Sequence, residues 1–249
     1  MKFNLITVLL LTCCLYKVTA QLPATPAPAR SPFKAIASTQ YTAHTELFAE
    51  FRPLLLNSPA RFTAHLTQVG ETFKPYTNAE VSLVLSVNGK TAWEQTLKEP
   101  AAPGIYRFPI KAAEAGTGTI TITLKMPDYS EKFLVENVAV YLDSATAIAS
   151  QVNMKDEDAQ NLVTYYKEKS WLETFATSTI QLSGGKLWIP QSAVIVETGK
   201  SYIYVQEDPE HFKKQLVKTG TKKNDLIEVK EGIKAGERIV TIGADKVGK

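Results

Sequence analysis

Cysteine is almost missing from this chain. The only two, Cys13 and Cys14, lie within its first twenty residues. If cleavage follows Ala20, no thiol remains, which excludes disulfides, thiolate metal sites and cysteine catalysis together. Histidine is also scarce, with three in 249 residues. The sequence has no Gly-x-Ser-x-Gly elbow, no His-Glu-x-x-His and no complete phosphate loop, and no cluster that sets a nucleophile beside a base and an oxyanion donor. The expectation is a protein that is not an enzyme. Charge of one sign is lacking too. The 28 basic and 25 acidic residues leave a net +3, which offers no clustered basic face for nucleic acid. Sustained heptads are absent, so no long coiled coil is expected. Beyond the N-terminus, no apolar run approaches the roughly 20 residues a membrane span needs.

That N-terminus has the pattern of an export signal. Lys2 precedes the short apolar stretch Phe3–Leu11, and Val18-Thr19-Ala20 supplies small residues before Gln21. Residues 1–20 read as a cleaved signal peptide, so the mature chain is expected to be exported, periplasmic and without a transmembrane segment. An uncleaved anchor is the alternative. Thr12 is a poor residue to precede a lipidated Cys13, which leaves a lipid anchor at Cys13 or Cys14 as a minor alternative. Residues 21–37 carry Pro23, Pro26, Pro28 and Pro32 among Ala, Thr and Ser. They read as an extended linker that cannot build a core.

With 44% hydrophobic residues, the remainder has ample material for globular domains. Residues 38–143 alternate apolar and polar positions in about seven short stretches, from Tyr41–Phe51 to Glu131–Tyr141. Asn88-Gly89 gives the strongest hairpin signal. This predicts a β-sandwich of immunoglobulin-like type. Residues 144–185 read as a helical connector, with Leu162, Tyr165, Tyr166, Lys169 and Leu172 at helical spacing after the acidic run Lys155–Gln160. Tyr165, Tyr166, Trp171 and Phe175 read as packing surface. Residues 186–249 return to short strands and predict a small β-barrel of SH3-like size. Its interior is expected to hold Ile189, Val194, Ile203, Val205, Leu216, Ile227, Val229, Ile233 and Val240. The fold class is therefore mainly β.

One group of residues carries possible metal chemistry. His44, Glu46 and Glu50 share one face of a predicted strand, and His65 points away from Phe62, Ala64 and Leu66. If those strands pair, His44, Glu46 and His65 could converge on Zn²⁺ or another divalent heavy-metal ion. The favoured alternative places them as ordinary polar positions on the wet face of an antiparallel sheet.

Several stretches carry a family resemblance. They are Trp188-Ile189-Pro190-Gln191-Ser192-Ala193-Val194-Ile195, Tyr202-Ile203-Tyr204-Val205, Phe212–Gly220 and Ile227–Ala244. In that order they resemble the membrane-proximal end of periplasmic adaptor subunits, or membrane fusion proteins, of heavy-metal efflux pumps of the resistance-nodulation-division (RND) type. Tyr41–Phe51 and Arg61–Pro75 are similar to the extra domain of cobalt-zinc-cadmium adaptors. The resemblance implies docking on an RND-type inner-membrane pump and on adaptor subunits, with an oligomer possible. Trp188, Tyr202, Tyr204 and Phe212 are the candidate docking anchors. Only Ala176–Gly185 stands where the family carries lipoyl, helical-hairpin and barrel segments, so the expectation is a shortened form. A free-standing divalent-metal-binding or delivery module, and a truncated remnant of an adaptor gene, are the rival readings.

Overall fold

Alternation of side chains across the pleat dictates the first body in the computed structural model, which describes residues 31–69, 73–152 and 162–249. Its strands are β1 (Ile36–Tyr41), β2 (Thr45–Phe51), β3 (Leu54–Leu55), β4 (Ala60–Gln68), β5 (Lys74–Pro75), β6 (Glu80–Val87), β7 (Lys90–Leu97), β8 (Ile105–Ile110), β9 (Gly116–Lys125) and β10 (Ser130–Tyr141). One sheet runs β1-β2-β4, with β5 and β8 both pairing the far side of β4; the other runs β3-β10-β9-β6-β7. All the pairs are antiparallel except β3 with β10. Val81, Leu83, Leu85 and Val87 of β6 are all fully buried and face Phe62, Tyr106 and Phe108 from the opposite sheet in a single core. The sandwich expected from the sequence is therefore present.

Local signals account for details of this body. Asn88 and Gly89 both have positive φ, 50° and 77°, as a two-residue primed turn between β6 and β7 requires. In β10 the register shifts between Val135 and Val138, with Asn137 at φ 56°. The bulge inserts one residue, so Val138 and Val140 face the same core as Phe133 and Val135. The stretch read as one strand, Tyr41–Phe51, is in fact two. The Thr42 hydroxyl accepts the Thr45 N–H at 3.0 Å, and the Thr42 N–H donates to the Thr45 carbonyl at 2.9 Å. That closes a hydroxyl-stabilised turn that reverses the chain from β1 into β2.

The connector departs from the expected helix. Helix α1 (Ser144–Ser150) starts at Asp143, whose Oδ1 accepts the Thr146 N–H at 2.8 Å. Lys155–Gln160, the expected helix start, lies outside the described residues. Leu162–Thr164 form not a helix but β11, paired with the long strand β17 (His211–Lys223). Among the described residues of the rest of the connector, only α2 (Lys167–Leu172) is helical. Strand pairing together with burial of Tyr165 outweighs the weak local preference that the spacing suggested.

The second body adds β12 (Ala176–Thr179), β13 (Leu182–Ser183), β14 (Lys186–Pro190), β15 (Ile195–Glu197), β16 (Lys200–Gln206), β18 (Leu226–Glu231) and β19 (Arg238–Ile242). The sheet order is β12-β19-β16-β17-β18-β14-β13, with β11 on β17 and β15 on β16. This sheet curls around Ile189, Ile203, Val205, Val217, Ile227 and Val229. Leu216 was expected inside but is 53% exposed, because Val217 takes the inward position and strand parity then turns Leu216 outward beside Tyr202. Val240 belongs to a second cluster on the outer face, formed with Tyr165, Phe175, Tyr204, Phe212, Ala244, Val247 and Phe73. Phe73 comes from the sandwich, so this cluster crosses between the two bodies. Pro32–Lys249 form one compact unit. Among the described residues no helix is long and apolar enough to cross a membrane.

Candidate functional site

The outer face of the β1-β2-β4-β8 sheet, read from the sequence as wet, is covered at one corner by α2. Glu46, Phe48 and Glu50 alternate along β2, opposite Thr67, His65 and Thr63 of β4. At the covered corner, Glu46 and Thr67 are fully buried, Phe48 is 2% exposed and His65 is 6% exposed.

Glu46 is the centre of this corner. Its carboxylate pairs with the Lys167 ammonium and accepts from Thr67 Oγ1 at 3.2 Å and from the Tyr41 hydroxyl at 2.9 Å. Three donors compensate for removing the charge from water. Lys167, 1% exposed, also lies over the Phe73 ring at 4.5 Å. Trp171, one turn on, donates its indole N–H to Thr67 Oγ1 at 3.0 Å. Lys74 Nζ donates to the carbonyls of Trp171 and Glu173 at 2.6 and 3.1 Å, which caps the end of α2. From β16 and β19, Gln206 Nε2 donates to the Tyr41 hydroxyl at 3.1 Å, and the Arg238 guanidinium stacks 3.9 Å from the Tyr41 ring. Burial, and then the charge of Glu46, raise the Tyr41 phenol above its ordinary value. Thr67 thus donates to Glu46 while accepting from Trp171. Thr67→Val is expected to cost about 1–3 kcal/mol in urea unfolding, and Thr67→Ser much less.

The three residues considered for a metal occupy separate settings. His44 is exposed, with Nδ1 3.0 Å from Glu131 Oε1 and its ring stacked on Tyr129 at 4.7 Å. Glu46 is taken by Lys167, Thr67 and Tyr41. His65 is buried between Phe48 and Trp171, with Nδ1 unpartnered and 4.0 Å from Glu50 Oε2. Burial pushes the His65 imidazole down to about 4. Among the described residues, no group of three or more His, Cys, Asp or Glu is placed to hold a metal ion. Side-chain alternation put Glu46 and His65 on one face, but nothing in the strand pattern showed that Lys167 and Trp171 would cover it.

The four candidate docking anchors also separate. Tyr204 and Phe212 are 4% and 0% exposed within the second apolar cluster, so both are core and unavailable to a partner. Tyr202 is half-buried on the outer face beside Leu216, with Lys214 Nζ 5.0 Å from its ring centre. Trp188 lines a cleft of about 340 Å³ with Ile180, Pro190 and Ile242. This cleft lies among β12, β14 and β19, near the two ends of the sheet order, which are β12 and the short β13 that pairs β14. Such an opening offers an apolar anchor on the surface of the curled sheet.

Strands β14 to β19 form the curled core of a nine-stranded sheet within about sixty residues, the size of an SH3-like domain, and family comparison agrees. Residues 186–249 match the family model described as YknX, C-terminal permuted SH3-like domain. Residues 186–249 are thus a domain of the adaptor, or membrane fusion protein, type. No curated protein and no solved structure matches the chain.

Proposed function

We propose that this chain is an exported, non-catalytic, adaptor-like component of a heavy-metal efflux system of the RND type. It docks on the inner-membrane pump or on full-length adaptor subunits. The observation that carries this reading is the C-terminal domain, which matches an adaptor-type model over residues 186–249 and presents Trp188 in an open cleft. A rigid β module with one aromatic anchor and a polar rim suits docking to a protein partner. The heavy-metal and RND parts rest on the wider sequence resemblance, including Tyr41–Phe51 and Arg61–Pro75.

Co-purification of the tagged full chain from detergent extracts of its own host tests this. Recovery of an RND pump or a full-length adaptor is the expected result. Recovery of a different transporter class alone rejects the RND assignment, and recovery of neither rejects the docking role. Trp188→Ala is expected to reduce that recovery about tenfold or more, the loss typical of an aromatic hot spot, while the unfolding temperature stays within a few degrees.

A further inference from the structure

The two arms that wall the Trp188 cleft diverge for a local reason. The β13–β14 hairpin has two rungs, Ser183 with Lys186 and Leu182 with Leu187. Beyond them β14 pairs β18 alone, and β12 pairs β19 alone. Ile180 is drawn to the β19 side, where its N–H donates to the Glu237 carbonyl at 2.8 Å and its carbonyl accepts the Gly236 N–H at 2.9 Å. Main-chain groups alternate in direction along a strand, so those of Thr179 and Thr177 point away from β19. Among the described residues nothing on that side bonds them. The cleft runs along this edge. Four consecutive residues, Ser178 to Gln181, line it, whereas neighbouring side chains of a strand point to opposite faces. Ile180, Ile189 and Ile239 of the domain core also line it, with the exposed Ile242 beside them. None of its eleven lining residues is charged. The nearby Arg238 is engaged by the Thr177 and Thr179 hydroxyls, at 3.1 Å each, and by the Tyr41 ring.

We propose that this gap takes an extended, uncharged segment of a protein partner, which adds as a strand to the open edge of β12 and sets an aliphatic side chain against Trp188. The segment belongs to the partner of the docking role proposed above, and its assignment rests on that role. The unpartnered main-chain groups of Thr177 and Thr179 are matched by another main chain, which an extended segment presents at strand spacing. A cleft of about 340 Å³ has room for one or two side chains. A helix, about 10–12 Å across with its side chains, does not fit. A charged side chain would lose its water here and meet no opposite charge. Ile180, Ile189 and Trp188 favour an aliphatic one, whose burial removes apolar surface from water. A second copy of the chain is the weaker occupant, because its β12 would bring the hydroxyls of Thr177, Ser178 and Thr179 to these apolar walls.

The probe is a random peptide library displayed on phage, selected against the full chain, with the tightest peptide then synthesised. Selected peptides are expected to alternate apolar residues and to carry no charge at their centre. Binding should slow hydrogen exchange at the Thr177 and Thr179 amides and shift the Trp188 indole resonance. Thr179→Pro removes an N–H that bonds nothing in the free protein, so folding should be kept while the peptide binds about tenfold more weakly. Unchanged exchange at both amides in the wild type overturns the proposal without any variant. Selection of charged or helical peptides, or of none, overturns it equally. Self-association of the chain that Thr179→Pro abolishes assigns the edge to a second copy and also overturns it. Pump or adaptor recovered equally with wild type and Thr179→Pro overturns strand addition and leaves the docking role standing. Failure to recover either, with peptide still protecting β12, rejects the efflux partner and leaves the strand site.

Discussion

Replacing Lys167 by methionine should destabilise the protein by about 3–5 kcal/mol, although methionine fills nearly the same space. The loss comes from Glu46. That carboxylate is fully buried, and in the variant it keeps only the Tyr41 and Thr67 hydroxyls to compensate its charge. Two neutral hydrogen bonds do not offset the cost of holding a carboxylate away from water. Neutralising both partners should reverse the effect. Glu46→Gln combined with Lys167→Met keeps an oxygen acceptor for one of the Tyr41 and Thr67 hydroxyls, lets the other hydroxyl turn to accept from the amide NH2, and removes both buried charges. The double variant is expected to lie within about 1.5 kcal/mol of the wild type, a coupling of at least about 2 kcal/mol in a double-mutant cycle. Urea unfolding of the four proteins measures this. Equal losses in the single and double variants would show that the pair is not what joins the bodies. The same pair sits where the chain's two β bodies meet, so the single variant should also separate one unfolding transition into two.

How far this arrangement could be read from residues alone differs by element. The sandwich was legible because alternation in β6, β9 and β10 places every second residue in a core that has to be dry. Asn88-Gly89 was legible because only residues tolerant of positive φ make that turn. The C-terminal domain was legible through its ordered motifs, and the matched family model covers the same residues, 186–249. Leu216 failed because strand parity, once shifted by a single position, exchanges inside for outside. The connector failed for a different reason. Tyr165 and the strand Leu162–Thr164 are set by pairing with Phe212 and its neighbours some fifty residues later, which no local spacing records. The seam was the least visible of all. Glu46 and His65 look like ordinary polar positions of an exposed face, and their burial depends on Lys167 and Trp171, more than a hundred residues further along the chain. The one available signal was the density of aromatic residues from Tyr165 to Phe175, read as packing surface, which holds for Tyr165, Trp171 and Phe175 but not for the exposed Tyr166, and without its counterpart.

Trp171→Ala should produce the second large effect, about 3–5 kcal/mol, from lost apolar burial and an unfilled cavity. Trp171 is 5% exposed, and it contributes more than area. Its indole N–H satisfies Thr67, so truncation leaves that hydroxyl without a donor inside the seam. Its ring also lies against Gly104. A β-carbon built at Gly104 would stand 2.6 Å from the Trp171 ring and 2.7 Å from Pro75, and Gly104 has φ +75°. Gly104→Ala in the wild type therefore suffers both a collision and a backbone cost of about 1–2 kcal/mol. With Trp171 already truncated, much of the collision disappears and the backbone cost remains. The two substitutions should consequently be less than additive, with the double variant about 1 kcal/mol or more better than the sum of the singles. Strict additivity in denaturant unfolding would mean that Gly104 and Trp171 do not pack together, and the seam would then lose its main apolar contact. If the coupling appears, α2 is fixed on the sandwich by shape as well as by charge.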